Sequence, residues 1–459
     1  MVAILLLRHD LRLADNPALR AAMAAGRQVI PVFIRAPEEE DEWARGAASR
    51  WWLHQSLEAL RGGLRRRGSR LVIRRGPTAE TLLRLARECG AEAVFWNGGC
   101  EPAVVRALES AGIAARGLAG NLLFEPGTIG NRSGQPFQVF TAFWKACLRA
   151  PGPAAPLAAP RRVPGPAKWP ESLTVRDLKL EPEADWAGGL RQAWHPGEAG
   201  GRRRMKAFLR GAVGAYAKDR DRPDLAGTSR LSPHLHFGEV SARQVWQAAC
   251  GAGRAAEPFL RQLVWREFAH HLLFHYPDMP RAPLRAAFRG FPWVEDAGGL
   301  RAWQRGMTGY PLVDAGMREL WQTGWMHNRV RMVAASFLVK DLLIRWQEGA
   351  AWFRDMLVDA DLANNTFGWQ WCAGCGADAA PYSRIFNPSI QGRKFDPEGR
   401  YVRSWIPELA GVQDRWIHRP WEAPAEALAA AGVELGRTYP RPIVAHEAAR
   451  RRALKIKGV

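Results

Sequence analysis

The amino-acid sequence predicts an α/β N-terminal domain built on a doubly wound parallel sheet, followed by an all-α C-terminal domain. Three observations predict this. At 459 residues the chain exceeds one usual core. Its first 130 residues alternate short apolar runs with helical periodicity, the pattern of strand–helix units around a parallel sheet. Beyond a stretch rich in Pro and Ala, apolar residues turn to i, i+4 spacing throughout.

Taken in order, Val2–Leu7 reads as a buried strand, Pro17–Ala25 as a helix and Val29–Ile34 as a second strand. Trp51–Arg67 is helical, Leu71–Arg74 a strand, Ala79–Cys89 a helix and Ala91–Trp96 a strand. Ligands of such sheets sit at the carboxyl ends of the strands. No GxGxxG follows Val2–Leu7, which argues against a Rossmann-type dinucleotide site. From Pro151 to Pro196 the run PGPAAPLAAPRRVPGPAKWP reads as a long, partly extended linker wrapping between domains. The expected boundaries are 1–130, 131–196 and 197–459. In the last part Phe259 and Leu263, Leu260 and Val264, Gly316–Gln322 and Val330–Ile344 keep the helical spacing, and most tryptophans lie there. Arg450–Arg452 with Lys455 and Lys457 read as a solvated basic tail.

Composition narrows the class. The hydrophobic fraction of 47% and charged fraction of 24% are ordinary for a globular protein. No apolar run approaches a membrane span. The apolar start MVAILLLRHD is too short for a signal peptide and lacks a charged leader, so a cytoplasmic protein is expected. The six cysteines are scattered, against a disulfide framework. Cys372 and Cys375 form a CxxC without a second pair at zinc spacing, so no metal is expected. Lys plus Arg is 65 against 45 for Asp plus Glu, a net charge of +20 that favours a polyanion such as nucleic acid. An Arg-rich codon bias is the alternative source of that charge.

Four constellations carry chemistry. The run from Asp355 to Pro388 sets Asp359 and Asp361 beside Asn364, Asn365, Trp369 and Trp371, a mixture suited to hydrogen-bonding and stacking on a planar heteroaromatic ligand. Gly227-Thr228-Ser229-Arg230-Leu231-Ser232-Pro233 offers hydroxyls, a guanidinium and backbone N–H groups before a helix, an anion site or simply a cap with Ser232 at N-cap and Pro233 at N1. Asn328, Arg331 and Met332 share a helix face; a buried Arg331 calls for a carboxylate, and Asp359 is the candidate. His327 has no second ligand at metal spacing. Gln262, Trp265 and Arg266 share another face, either stacking on an exposed base while fixing a phosphate or packing as core with an arginine rim.

The segments GTSRLSPHLHFGEVSARQVW, LVWREFAHHLLFHYPDMP, TGYPLVDAGMRELWQTGWMHNRVRMVAASFLVKDLL and DADLANNTFGWQWCAGCGADAAPYSRIFNPSIQGRKFDPEGRYVRSWIPEL resemble the photolyase/cryptochrome family. LLLRHDLRLADNPAL matches its N-terminal signature, and the resemblance spans essentially the whole chain. It implies an antenna-type α/β domain and a helical FAD-binding domain. In photolyases of that family, blue light excites reduced FAD, an electron passes to a pyrimidine dimer in DNA, the ring splits, and the electron returns. By motif, Tyr216 and Thr228, Ser229, Arg230, Leu231 and Ser232 would hold the phosphate and adenosine side, with Phe259, Arg266 and Asn328 also at the cofactor. Asp359, Ala360 and Asp361 would line the isoalloxazine, with Arg331 paired to Asp359. Asn365 would sit against flavin N5, where plant cryptochromes carry an Asp that protonates the flavin; an amide cannot. Trp369, Trp346 and Trp293 match the family's tryptophan relay to the surface. Trp265 and Trp371 would bracket the flipped dimer, with Gln262, Asn328 and Met332 at the lesion and Arg329, Gln391 and Arg266 on phosphates.

The chain also departs from the family pattern. Cyclobutane-dimer photolyases usually carry Glu where Gln262 stands, and (6-4) photolyases often carry Gln. The (6-4) subfamily's two active-site histidines would fall at Asn328 and Met332, and neither supplies a proton. Trp96-Asn97-Gly98-Gly99-Cys100-Glu101-Pro102 is shortened relative to relatives whose loop helps hold a folate or deazaflavin antenna. Arg50-Trp51-Trp52-Leu53-His54 resembles folate-binding and plant-cryptochrome-like relatives, so the antenna stays open. The expected activity is cyclobutane-dimer repair by a monomer on single- or double-stranded UV-damaged DNA in the bacterial nucleoid. The alternatives are (6-4) repair and a cryptochrome-type photoreceptor; Asn365, the basic charge and the lack of a long C-terminal extension point to repair. A flavoprotein oxidoreductase using NADPH lacks a nicotinamide site.

Overall fold

Val2–Leu7 (β1) is apolar at every position, and Ala3–Leu7 are at most 1% exposed, as for a strand covered on both faces. It pairs in parallel with β2 (Gln28–Arg35) and β4 (Ala91–Asn97), while β3 (Val72–Arg75) and β5 (Ala114–Leu118) form the edges. The order β3-β2-β1-β4-β5 reverses at β1, the doubly wound topology the alternation predicts. The intervening helices are α1 (Pro17–Ala24), α2 (Ala47–Arg65), α3 (Thr78–Cys89) and α4 (Pro102–Ser110). This computed structural model describes residues 1–24, 27–131, 134–181, 184–379 and 381–456, so Ala25, Arg132, Ser133, Pro182, Glu183, Ala380 and Lys457 of the segments read above lie outside the described residues.

Two compact units divide the chain, each discontinuous in sequence. The first comprises Met1–Ile129, Lys145–Gly214 and Ser229–Glu267; the second comprises Gly130–Trp144, Ala215–Thr228 and Phe268–Val459. Within the first, the Pro- and Ala-rich stretch runs extended against the sheet layer. Val29 N–H donates to Pro164 O at 2.7 Å, Val163 N–H to Arg67 O at 3.0 Å and Leu173 N–H to Ile73 O at 3.0 Å. Prolines cannot donate, so the stretch takes its bonds through the residues between them and through its carbonyls. The signature LRLADNPAL is fixed by Arg12, a fully buried cation. Its guanidinium donates to Asp15 O at 3.0 Å, Gly238 O at 3.0 Å and Gly120 O at 2.6 Å. Asp15 in turn accepts from Arg243 at 2.8 Å.

The second unit is helical around one apolar cluster that includes Trp303, Phe337, Trp346, Phe353 and Trp369. Its site-bearing helices are Asn328–Ser336, Trp346–Met356, Leu362–Ala373 and Pro388–Phe395. The first runs into a π-helical turn over Phe337–Asp341. The long helix Glu257–His275 contributes Phe259 to Glu267 to the first unit and His270 and His271 to the second.

Candidate active site

In the second unit, Arg331 meets its expected partner. Its Nη2 lies 3.1 and 2.9 Å from the two carboxylate oxygens of Asp359, and its Nε donates to Met326 O at 2.7 Å. The Asp359 side chain is only 3% exposed, so the guanidinium both satisfies and orients an otherwise costly buried charge. Asn328 and Met332 lie one turn apart on the same helix, the amide Nδ2 3.9 Å from the sulfur. His327 is the N-cap of that helix: its Nδ1 accepts from Arg329 N–H at 3.2 Å, and burial pushes the imidazole down to about 4.

Two residues on, Asp361 is the N-cap of Leu362–Ala373. Its Oδ1 accepts from Asn364 N–H at 2.8 Å and from Asn364 Nδ2 at 2.6 Å, while Oδ2 faces His270 Nε2 at 3.4 Å. Ala360 lies between the two acids and packs on the apolar cluster. Asn365, half-buried one turn into the helix, donates Nδ2 to Ala350 O at 2.9 Å. Only an NH2 group can donate to a carbonyl, so this bond fixes which end of the amide is which, and Oδ1 is left to accept on the other side.

Trp369 is 2% exposed, with Trp303 at 6.0 Å and Phe353 at 5.0 Å between ring centroids. Gly349 makes that position possible, because a Cβ there would stand 2.0 Å from the Trp369 ring. Trp346 is 1% exposed, in the same cluster as Trp369, and the half-buried Trp293 packs at its border. Trp369 and Trp346 are thus buried members of one cluster and Trp293 lies against it. Trp371 is half-buried, as two residues' rotation on a helix dictates. Gln391 lies half-buried on Pro388–Phe395, with a buried Oε1 that has no hydrogen-bond partner. Arg329 pairs with Asp221 at 2.8 Å, its guanidinium 4.5 Å from the Phe395 ring centroid.

Tyr216, 7% exposed, opens the short helix Tyr216–Asp219, and Arg220 lies over its ring at 5.6 Å. Thr228 closes that segment after Gly227, whose Cβ would meet Asp219 O at 2.7 Å. Cys372 and Cys375 are buried thiols, each pushed by burial up to about 12, and pack as core. Among the described residues no cluster of His, Cys, Asp and Glu is placed to hold a metal ion.

The first unit holds the remaining predicted residues. Arg230 adopts φ +49° and lies over the Trp194 ring at 4.6 Å, and Leu231 N–H donates to Ser229 Oγ at 3.4 Å. The alternative cap reading is corrected here. The helix is Ser232–His236, five residues, with Leu231 at N-cap and no side-chain cap bond. The left-handed turn at Arg230 starts the helix one residue earlier than expected, so Ser232 is already helical and Pro233 is its second residue. Phe259 packs on Phe208 at 4.6 Å. Gln262 Nε2 reaches Pro258 O at 3.5 Å. Trp265 is half-buried, and Arg266 pairs with the neighbouring Glu267 at 3.2 Å.

The loop after β4 is tied down at its start. Asn97 donates Nδ2 to Asp10 Oδ2 at 2.7 Å and to Asn16 Oδ1 at 2.8 Å, and Arg8 reaches Gly99 O and Glu101. Sequence reasoning missed Asp221, Glu267, Trp303 and Gly349. Spacing could have suggested none of the tertiary pairs, although Glu267 directly follows Arg266.

Comparison with known proteins follows from this geometry. Residues 3–161 match the family described as DNA photolyase, and residues 259–457 match the FAD binding domain of DNA photolyase. A deoxyribodipyrimidine photo-lyase of Agrobacterium fabrum is 47% identical over 460 residues, 97% of this chain and 95% of that one. Cryptochrome-1 of Arabidopsis thaliana is 42% identical over 98% of this chain and 69% of its own length. The crystal structure of a bacterial class III photolyase from Agrobacterium tumefaciens superposes with a TM-score of 0.95 at 47% identity, covering 99% of this chain and 96% of that one. Among the described residues no helix is long and apolar enough to cross a membrane.

Proposed function

The chain belongs to the photolyase/cryptochrome family, and from that premise we propose that it is a light-dependent DNA repair enzyme, splitting cyclobutane pyrimidine dimers with non-covalently bound FAD. Reduced FAD, when bound, supplies the light-driven electron that opens the dimer. The chain's own residues hold, orient and insulate. The buried Asp359 carboxylate, fixed by Arg331, and the capping Asp361 offer acceptors to the N–H edge of a flavin. Tyr216 and Thr228 to Ser232 would take the phosphate and adenosine side, with Phe259, Arg266 and Asn328 beside it. Trp369, Trp346 and Trp293 would carry electrons in from solvent. Trp265 and Trp371 would stack on the flipped lesion, with Gln262, Asn328 and Met332 at its edges, and Arg329, Gln391 and Arg266 would meet phosphates. Functionally, we assign the antenna role to 1–130, the linker to 131–196 and FAD binding to 197–459. A folate or deazaflavin antenna is an additional chromophore this architecture could carry. We read the protein as a monomer at the bacterial nucleoid, bound to damaged DNA through its +20 charge.

The observation that carries repair over signalling is the Asn365–Ala350 bond of 2.9 Å. With its NH2 so engaged, the amide would offer an acceptor to flavin N5, able to take a hydrogen bond from the reduced flavin but not to supply a proton. The 42% identity to a plant cryptochrome makes the photoreceptor the second reading. Asn328 and Met332, with no proton donor between them, speak against (6-4) chemistry. The test is illumination of the reduced holoprotein with two oligonucleotides, one carrying a cyclobutane thymine dimer and one a (6-4) product. The first is expected to be restored and the second not. Restoration of neither would sink the repair reading in favour of the photoreceptor.

A further inference from the structure

Glu267, in the helix Glu257–His275, is a buried acid that the repair reading does not use; it is 3% exposed. One carboxylate oxygen accepts from Leu123 N–H at 2.8 Å and Phe124 N–H at 3.2 Å, and the other accepts from Arg266 Nη1 at 3.2 Å. The other groups facing it are Glu125, on the loop that carries the two amides, and the Cys147 thiol of the helix Phe140–Arg149. Glu125 itself feels Arg243. The three hydrogen bonds to this carboxyl all come from donors, a set that suits its ionised state. Burial, aided by Glu125, works the other way and pushes the acid up to about 7, so both forms are populated near neutrality.

We propose that Glu267 is a positioning residue that acts through Arg266. Ionised, it holds the guanidinium so that its remaining N–H groups meet a DNA phosphate; protonated, it lets that orientation go. The proposal rests on the reading of Arg266 as a phosphate contact. It makes a distinctive demand. A basic protein that loses protons binds DNA no better as pH rises, whereas release of the Glu267 proton tightens binding.

The test is the dissociation constant of the FAD-loaded protein for a short duplex with one thymine dimer, measured in the dark from pH 5.5 to 8.5 at several salt concentrations. For the unmodified protein, affinity should rise roughly three- to tenfold with a midpoint near 7, the net size of one hydrogen bond. Dimers split per absorbed photon at saturating DNA should not follow that titration; if they do, Glu267 acts in the chemistry and the positioning role is overturned. Glu267→Gln should bind with a flat profile at the weaker level, and a profile like the unmodified protein's overturns the proposal. Arg266→Ala, which leaves the buried acid's amide donors in place, should lose the rise and lower the salt slope by about one. A lowered slope with the pH rise intact overturns the role of Glu267. An unchanged slope instead overturns the premise that Arg266 meets a phosphate. Should Glu267→Gln not fold, the Arg266→Ala arm decides alone.

Discussion

A glycine sets where Trp369 sits. At Gly349 a Cβ would fall 2.0 Å from the Trp369 ring, well inside contact distance, and the Trp303 and Phe353 rings also pack edge-on to it. Alanine is the better helix former by roughly 1 kcal/mol, yet overpacking a close-fitted core costs about 1–3 kcal/mol. Gly349→Ala is therefore expected to lower the melting temperature and slow photoreduction of oxidised flavin; photoreduction at the parent rate would show that Trp369 is not positioned by this contact. Gln262 carries a second prediction. Its amide Nε2 lies 3.5 Å from Pro258 O, and Glu keeps the length and shape of the side chain while adding a charge. Gln262→Glu should raise affinity for, or repair of, cyclobutane dimers several-fold; no change in either would make the charge irrelevant here. Legibility at this scale followed isolation. Arg331 among apolar helix positions announced a missing acid, and Asp359 is that acid. Asp221 and Glu267 pair arginines already assigned to DNA, so nothing in the sequence asked for them.

The element that gathers the candidate flavin residues is the helix Leu362–Ala373, and its ends explain why it starts and stops where it does. Asp361 caps the N-terminus through Asn364 N–H, and Gly374 closes the C-terminus at φ 89°. The cap places Asn365 and Trp369 four residues apart, on one side of the helix. Asp361→Ala should cost about 1 kcal/mol of stability, read as a fall in melting temperature. Asp361→Ser restores a cap acceptor without the charge, so it should recover the melting temperature while flavin retention stays reduced. Recovery of both would mean that the carboxylate serves the helix alone. Helices such as Pro311–Thr323 were legible because apolar residues keep i, i+4 spacing. The edge strand Ala114–Leu118 was not: its sequence AARGL is poor in β-formers and its side chains are at most half-buried, so it has neither propensity nor alternation to show. The central strand Val2–Leu7 has both burial and an unbroken apolar run.

At the scale of the whole molecule, the order of α/β before helical architecture was readable, whereas the interleaving of segments between compact units was not. Composition changes along a chain, but contacts such as those of Arg12 with Gly120 and Gly238 join residues far apart in it. The same distributed burial gives the molecule a pH profile. Burial pushes His271, His327 and His418 down to about 4, so all three are neutral in the fold. A lowered histidine stabilises fully above its unfolded pKa near 6.5, and that stability is lost as pH falls toward 4. Glu267 and Asp396, pushed up to about 7 and about 6, act oppositely: their stability is present in acid and is lost as pH rises through those values. Near pH 5 the unfolded chain therefore binds three histidine protons that the fold refuses, and the fold holds two carboxyl protons that the unfolded chain has mostly released. Burial also pushes Glu125, Asp314, Asp341 and Asp378 up, so they side with Glu267 and Asp396 against the histidines. Glu267→Gln, which removes one group of the opposing set, should make the melting temperature rise more steeply, or fall less steeply, between pH 5 and 7 than in the unmodified protein. A slope unchanged by the substitution would mean that Glu267 does not carry a proton in the fold at pH 5.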